Sequence, residues 1–110
     1  HSFTPRWRGR LRKVDVGLLY DPSRGAERAF CVDWLRALHR EAPSLRVRRN
    51  QPYRGVAPGL PTALRARLPR SYLGVELELN QDLLAGAASR AELVEVLAST
   101  LRERIARHSR

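Results

Sequence analysis

Residues Val14–Tyr20 read VDVGLLY, a mostly apolar run of strand length that is stopped by the turn signal DPSRG at Asp21–Gly25. An uninterrupted apolar run of this length predicts a strand buried on both faces, as in mainly parallel sheets. From Glu27 the apolar residues Phe30, Cys31, Trp34, Leu35 and Leu38 recur at helical spacing, and that helix ends before Pro43. LRVRRN (Leu45–Asn50) alternates like a strand with one polar side, and QPYRGVAPGLP then supplies a loop rich in Pro and Gly. ALRARL (Ala63–Leu68) reads as a short helix closed by Pro69. YLGVELEL (Tyr72–Leu79) alternates again, with Leu73, Val75, Leu77 and Leu79 on one side and Glu76 and Glu78 on the other. Ser89 and Glu92 form an S-x-x-E capping box ahead of Leu93, Val94, Leu97, Leu101 and Ile105, which predicts an amphipathic final helix. This order of elements defines an α/β fold, a mainly parallel or mixed sheet with helices on its faces.

With 110 residues the chain is a single domain, residues 1–110, and a hydrophobic fraction of 43% argues against disorder. The lone Cys31 excludes an internal disulfide and a multi-cysteine metal cage, and it suits a reducing compartment. No apolar run is long enough for a membrane helix and no secretion signal is visible, so a cytoplasmic protein is expected. The net charge of +10 raises nucleic-acid binding. The cations are nevertheless spread along the chain, nearly all are arginines, and the aromatic fraction is only 6% without interleaving, so a solvated arginine-rich surface or an acidic substrate is preferred. Three strands make a narrow sheet, and with His1 in first position and no methionine, these residues are expected to be the C-terminal part of a larger domain. Such a piece is expected to self-associate through its uncovered edge.

Four stretches stand in order: HSFTP (His1–Pro5), VGLLYD (Val16–Asp21), RRNQPYRG (Arg48–Gly55) followed by G-L-x-x-A-L-R (Gly59–Arg65), and YLGVELELNQ (Tyr72–Gln81). Together they resemble the N-formylglutamate amidohydrolase family, and the likeness runs from His1 to about Leu101. It departs from the family pattern at Pro58, Gly59 and Pro61.

The resemblance implies a zinc-carboxypeptidase-like (phosphorylase/hydrolase-like) domain, of which this is the C-terminal part. It also implies a small N-formyl or N-acyl acidic amino acid as substrate, in amino-acid catabolism such as histidine degradation. It makes His1 a metal ligand and Glu78 the catalytic base, with zinc or another divalent ion completed by ligands upstream of this chain. Such a metal keeps one position for a water, and a nearby carboxylate moves that water's proton. Period-two spacing leaves Glu76 and Glu78 equivalent, so the choice of Glu78 rests on the resemblance. Arg48, Arg49 and Arg54 are candidates for pairing with substrate carboxylates, and Asn50 and Tyr53 for hydrogen bonds to the scissile amide.

Each assignment has a plainer rival. His1 fits a mobile terminus, or a copper chelate made by its α-amine and imidazole; Glu76 and Glu78 fit the solvated side of an edge strand; Tyr53 fits a ring packed on Pro52. Arg48 and Arg49 fit an edge kept soluble by charge. Phe30 and Trp34 belong to the core, Cys31 is an inert buried thiol, and His39 and His108 are surface residues. The competing function is a non-catalytic basic α/β module that binds acidic partners or nucleic acid.

Overall fold

The computed structural model describes residues 1–109. Its elements are β1 (Ser2–Phe3), β2 (Arg6–Trp7), β3 (Arg10–Leu11), β4 (Val16–Leu19), α1 (Gly25–Glu41), β5 (Val47–Arg49), α2 (Leu60–Arg67), β6 (Glu76–Asn80), a 3-10 turn at Gln81–Leu84, and α3 (Ala87–His108). The apolar run lands on β4, which is buried throughout and lies inside a four-stranded sheet of order β1-β6-β4-β5. β1 with β6 and β4 with β5 are parallel pairs, whereas β6 runs antiparallel to β4. The fold is α/β with a mixed, mostly parallel sheet.

Val16, Leu18, Tyr20 and Val47 from the sheet pack with Phe30, Trp34 and Leu38 of α1 and with Leu93 and Leu97 of α3. The two long helices therefore share one face of the sheet. The Trp34 indole, fully enclosed there, donates to the Thr100 hydroxyl at 2.8 Å, so the polar edge of the largest core residue is satisfied.

The structure departs from the expected pattern at both ends of the chain. Ser2 and Phe3 of HSF form a strand, β1, and RWRGRL forms a β2–β3 hairpin with Arg6 opposite Leu11 and Trp7 opposite Arg10. Its turn residues Arg8 and Gly9 have φ of 50° and 76°, the left-handed pair that a two-residue hairpin requires. Two-residue strands are too short to display alternation, which is why the pattern did not reveal them. The hairpin and the residues after it carry Arg6, Arg8, Arg10, Arg12 and Lys13, with the guanidinium groups of Arg8 and Arg12 over Trp7, so the cations are less evenly spread than the sequence suggested.

At the other end, α3 begins at Ala87 behind Gly86, and the Ser89 hydroxyl bonds to the Leu83 carbonyl, so the capping box is not formed. The buried stripe of α3 is Leu93, Leu97, Thr100 and Arg104, leaving Val94 and Ile105 56% and 50% exposed. Arg104 reaches inward because Asp33 of α1 accepts from it at 3.3 Å. No described helix is long and apolar enough to cross a membrane.

The long segment between β5 and β6 is held by one buried carboxylate. Glu27, fully enclosed on α1, accepts from Arg65 Nε and Nη2 on α2, from the Asp21 N–H at 2.9 Å and from the Gly74 N–H at 3.0 Å. The Gly74 bond explains why β6 starts at Glu76 and not at Tyr72. Burial alone would raise the Glu27 carboxyl, but the Arg65 fork and the two backbone donors outweigh it and hold the group below its ordinary value. A depressed carboxyl contributes stability that is present above its unfolded value and is lost as pH falls through the folded one. Removing Arg65 strips the buried charge of its hydrogen-bonding fork and leaves only the Arg24 guanidinium, 3.7 Å away and not hydrogen-bonded to it. Arg65→Met is therefore expected to lower the unfolding free energy in urea by about 3–5 kcal/mol at neutral pH, and by less as the pH is brought below about 4. Arg65→Lys should recover only part of the loss because it lacks the planar fork.

Candidate active site

The register assigns each strand residue to a side. Val16 pairs with Leu79 and Leu18 with Leu77, placing these four toward the helices, while Gly17 pairs with Glu78 and Leu19 with Glu76. On β1, Ser2 lies beside Leu79 and Phe3 beside Asn80. His1 and Phe3 thus belong with Glu76, Glu78 and Asn80 on the face opposite the helices. The His1 imidazole, 74% exposed, stands 3.9 Å from the Glu76 carboxylate. The His1 nitrogen donates to the Leu77 carbonyl at 2.9 Å, which fixes this residue against β6.

The expectation that Glu76 and Glu78 are equivalent fails here. Glu78 is only 6% exposed, more buried than Leu77 and Leu79 on the apolar side of its strand, and its Oε2 is enclosed without a hydrogen-bond partner. Buried carboxylate oxygens are normally satisfied by protein groups or ordered water, so an oxygen with no protein partner sets Glu78 apart from Glu76. Burial pushes the Glu78 carboxyl above its ordinary value; the His1 α-amino group pulls it down, Glu76 pushes it up, and Arg12 pulls it down.

The wall beside Glu78 is the NQPY loop. A Cβ on Gly17 would overlap the Gln51 carbonyl oxygen, so only glycine lets that backbone lie against the sheet next to Glu78. A Cβ on Gly55 would overlap the backbone of Tyr20, so the far end of the loop closes equally tightly. The Gln51–Pro52 bond is cis. Asn50, at φ 53°, accepts with its side-chain oxygen from the N–H groups of Tyr20 and Gly55, each at 3.0 Å. Its role is to shape the loop, and its carbonyl oxygen is not available for a substrate amide. Tyr53 is swung to the sheet face of Glu78, where its ring centre lies 5.4 Å from the Arg12 guanidinium.

Of the arginines proposed as substrate contacts, Arg48 pairs with Gly17 on the Glu78 side but is exposed on the edge strand β5 and donates to the Val47 carbonyl, and the other two do not join this group. Arg49 pairs with Leu18 on the helix side, donates to the Tyr20 hydroxyl at 3.2 Å, and acts electrostatically on Cys31 of α1. It is therefore separated from Glu78 by the sheet. Arg54 is exposed and lines a shallow cavity of about 260 Å³ with Asp21, Ser23 and Val56. Arg12, which the sequence reading passed over, stands on the Glu78 face. Cys31 matches its expected role, with burial first and then Glu27 pushing the thiol up to about 12. A smaller cavity of about 190 Å³ at the start of α1 involves Arg24, Glu27, Arg70 and Tyr72, with no free carboxylate.

Neither a protein-family profile nor a curated protein sequence matches the chain. Among solved structures it is similar to the crystal structure of gene product Atu2144 from Agrobacterium tumefaciens, with 33% sequence identity and a TM-score of 0.75. The likeness covers all of this chain and 41% of that one, so the chain spans less than half the length of the structure it matches.

Among the described residues no group of three or more His, Cys, Asp and Glu side chains is placed to hold a metal ion. The donors on the Glu78 face, one imidazole with a carboxylate beside it, are fewer than the three protein ligands that a catalytic zinc takes. What the face does hold is a carboxylate whose ionised form folding disfavours. A raised carboxyl contributes stability that is present below its unfolded value, about 4.3, and is lost as pH rises through the folded one. Glu78→Gln is therefore expected to stabilise the metal-free protein at pH 7, the gain shrinking toward pH 4, as followed by denaturant unfolding across that range.

Proposed function

We propose that these residues form part of the catalytic face of an amidohydrolase that cleaves the N-acyl amide of an acidic amino acid, with Glu78 as general base and acid. The observation that carries this reading is the orphaned Oε2 of a buried carboxylate at the end of β6, beside His1 and the NQPY loop. The motifs shared with N-formylglutamate amidohydrolases support the same reading and make formyl the first acyl group to test. In it His1 is one ligand of zinc or another divalent ion, with the remaining ligands supplied from outside these 110 residues. When bound, such an ion supplies an activated water.

Glu78 is suited to the proton work. A carboxyl lifted by burial takes a proton from an attacking water more readily than a surface glutamate does, and it is a competent donor afterwards. The proton removed from water passes to the leaving nitrogen as the C–N bond breaks, which gives the free amino acid and the carboxylic acid. Asn80, with its amide donating to the Val14 carbonyl at 3.0 Å and accepting from the Asp82 N–H, fixes the strand end that presents Glu78.

The test uses the protein as its source cell makes it, loaded with zinc and supplied with N-formyl-L-glutamate. Glu78→Gln is expected to lower kcat by roughly 10²–10⁴-fold with the metal content unchanged, whereas Glu76→Gln should retain most of the activity. Full turnover in the Glu78 variant, or none in the zinc-loaded parent on any N-acyl amino acid, overturns the reading.

A further inference from the structure

The guanidinium of Arg12 sits among three aromatic rings drawn from three separate motifs. Its central carbon lies 5.5 Å from the ring centre of Phe3 in HSFTP, 5.3 Å from that of Trp7 in the hairpin and 5.4 Å from that of Tyr53 in NQPY. Cation–π contacts of this kind restrict a guanidinium and leave its N–H edge free to bond. One nitrogen, Nη1, donates to the Thr4 carbonyl at 3.2 Å. Among the described residues the Nε–Nη2 edge has no hydrogen-bond or carboxylate partner, and the residue is half-buried, so that edge is open to solvent. This is the edge that meets a carboxylate in a two-bond fork.

The position of Arg12 says which ligand this edge would meet. Phe3 is beside Asn80 and on the face of Glu78. Arg12 is near enough to favour the ionised form of Glu78, yet the two make no ion pair, so a gap separates them. Of the other arginines near the motifs, Arg49 lies on the helix side, and Arg48, although paired with Gly17 on the Glu78 side, is exposed on the edge strand β5 with β4 between it and β6 and with no aromatic ring stacked on it among the described residues.

We propose that Arg12 is the carboxylate anchor of this face, holding a carboxylate of the acidic substrate on its Nε–Nη2 edge while the three rings keep the guanidinium in place. The proposal rests on the amidohydrolase reading for its substrate, and it replaces Arg49 and Arg54 as the cation that selects it. Arg12 is a binding residue; the proton chemistry stays with Glu78.

Binding of glutarate, and of its neutral diamide as control, is measured by calorimetry on the protein as its source cell makes it. Arg12→Gln is expected to raise the Kd for glutarate by roughly 10- to 100-fold and to leave the diamide unchanged. Arg12→Lys, which keeps the charge among the rings but not the fork, should fall between. If the Gln variant is not folded by circular dichroism, the Lys variant decides: parental affinity for glutarate then overturns the anchor. So does a folded Gln variant that binds glutarate as the parent does, a parent that does not bind it, or equal losses for glutarate and diamide. Glutarate binding that depends on Arg12, without hydrolysis of any N-acyl amino acid, upholds the anchor and overturns the amidohydrolase. Glu78-dependent hydrolysis with glutarate binding indifferent to Arg12 does the reverse.

Discussion

At Gly17 the sheet has no side chain, and the Gln51 carbonyl lies where a Cβ would stand. β4 is an inner strand, held by β6 on one side and β5 on the other, so it cannot shift to accommodate a larger residue. Three features of the site follow from that close approach. The NQPY loop is laid flat on the face opposite the helices; Glu78, whose Cβ is 3.5 Å from the position a Gly17 Cβ would occupy, is walled on that side; and Tyr53 is carried across to Arg12. Asn50 then locks the arrangement by bonding to both Tyr20 and Gly55, using the left-handed backbone that asparagine tolerates.

Two buried glutamates show opposite solutions to one electrostatic problem. Burying a carboxylate is unfavourable unless donors replace its water. Glu27 has them in full, from Arg65 and from two backbone N–H groups, and this ties α1, α2 and the approach to β6 into one unit. Glu78 has an oxygen with none. The first carboxyl is held low and the second is raised, although both are enclosed by the same small protein. A fold able to satisfy Glu27 so completely is not short of donors, so the unsatisfied Glu78 reflects where the chain places it.

Much of the architecture was legible in the residues. The apolar run at Val14–Tyr20 is the inner strand, Phe30, Trp34 and Leu38 face the core, and the final helix exists, because each has enough length for its period to show. What was hidden was short or tertiary. β1, β2 and β3 are too brief to alternate, the antiparallel turn of β6 against β4 depends on a connection that period cannot report, and Arg104 is buried in place of Ile105 only because Asp33 waits on another helix. In the site, alternation grouped Glu76 with Glu78 correctly but could not show that only one is enclosed. Arg49 looked close to Asn50 and Tyr53 because it is close in sequence, while a strand turns adjacent residues to opposite faces.

The arginines make the same point about charge. In the sequence they are a diffuse excess, +10 over the whole chain. In the fold most of those discussed have structural duties: Arg65 with Glu27, Arg46 forked on Asp15 with Nη2 at 2.9 Å, Arg104 with Asp33, and Arg49 with the Tyr20 hydroxyl. A cation already engaged cannot receive a ligand without first losing its partner, and at a buried pair that exchange is unfavourable. Arg12 differs because aromatic rings orient its guanidinium without using the fork edge. Orientation by rings fixes direction while leaving hydrogen-bonding capacity intact, a combination that suits an anchor for an incoming carboxylate better than any net charge does.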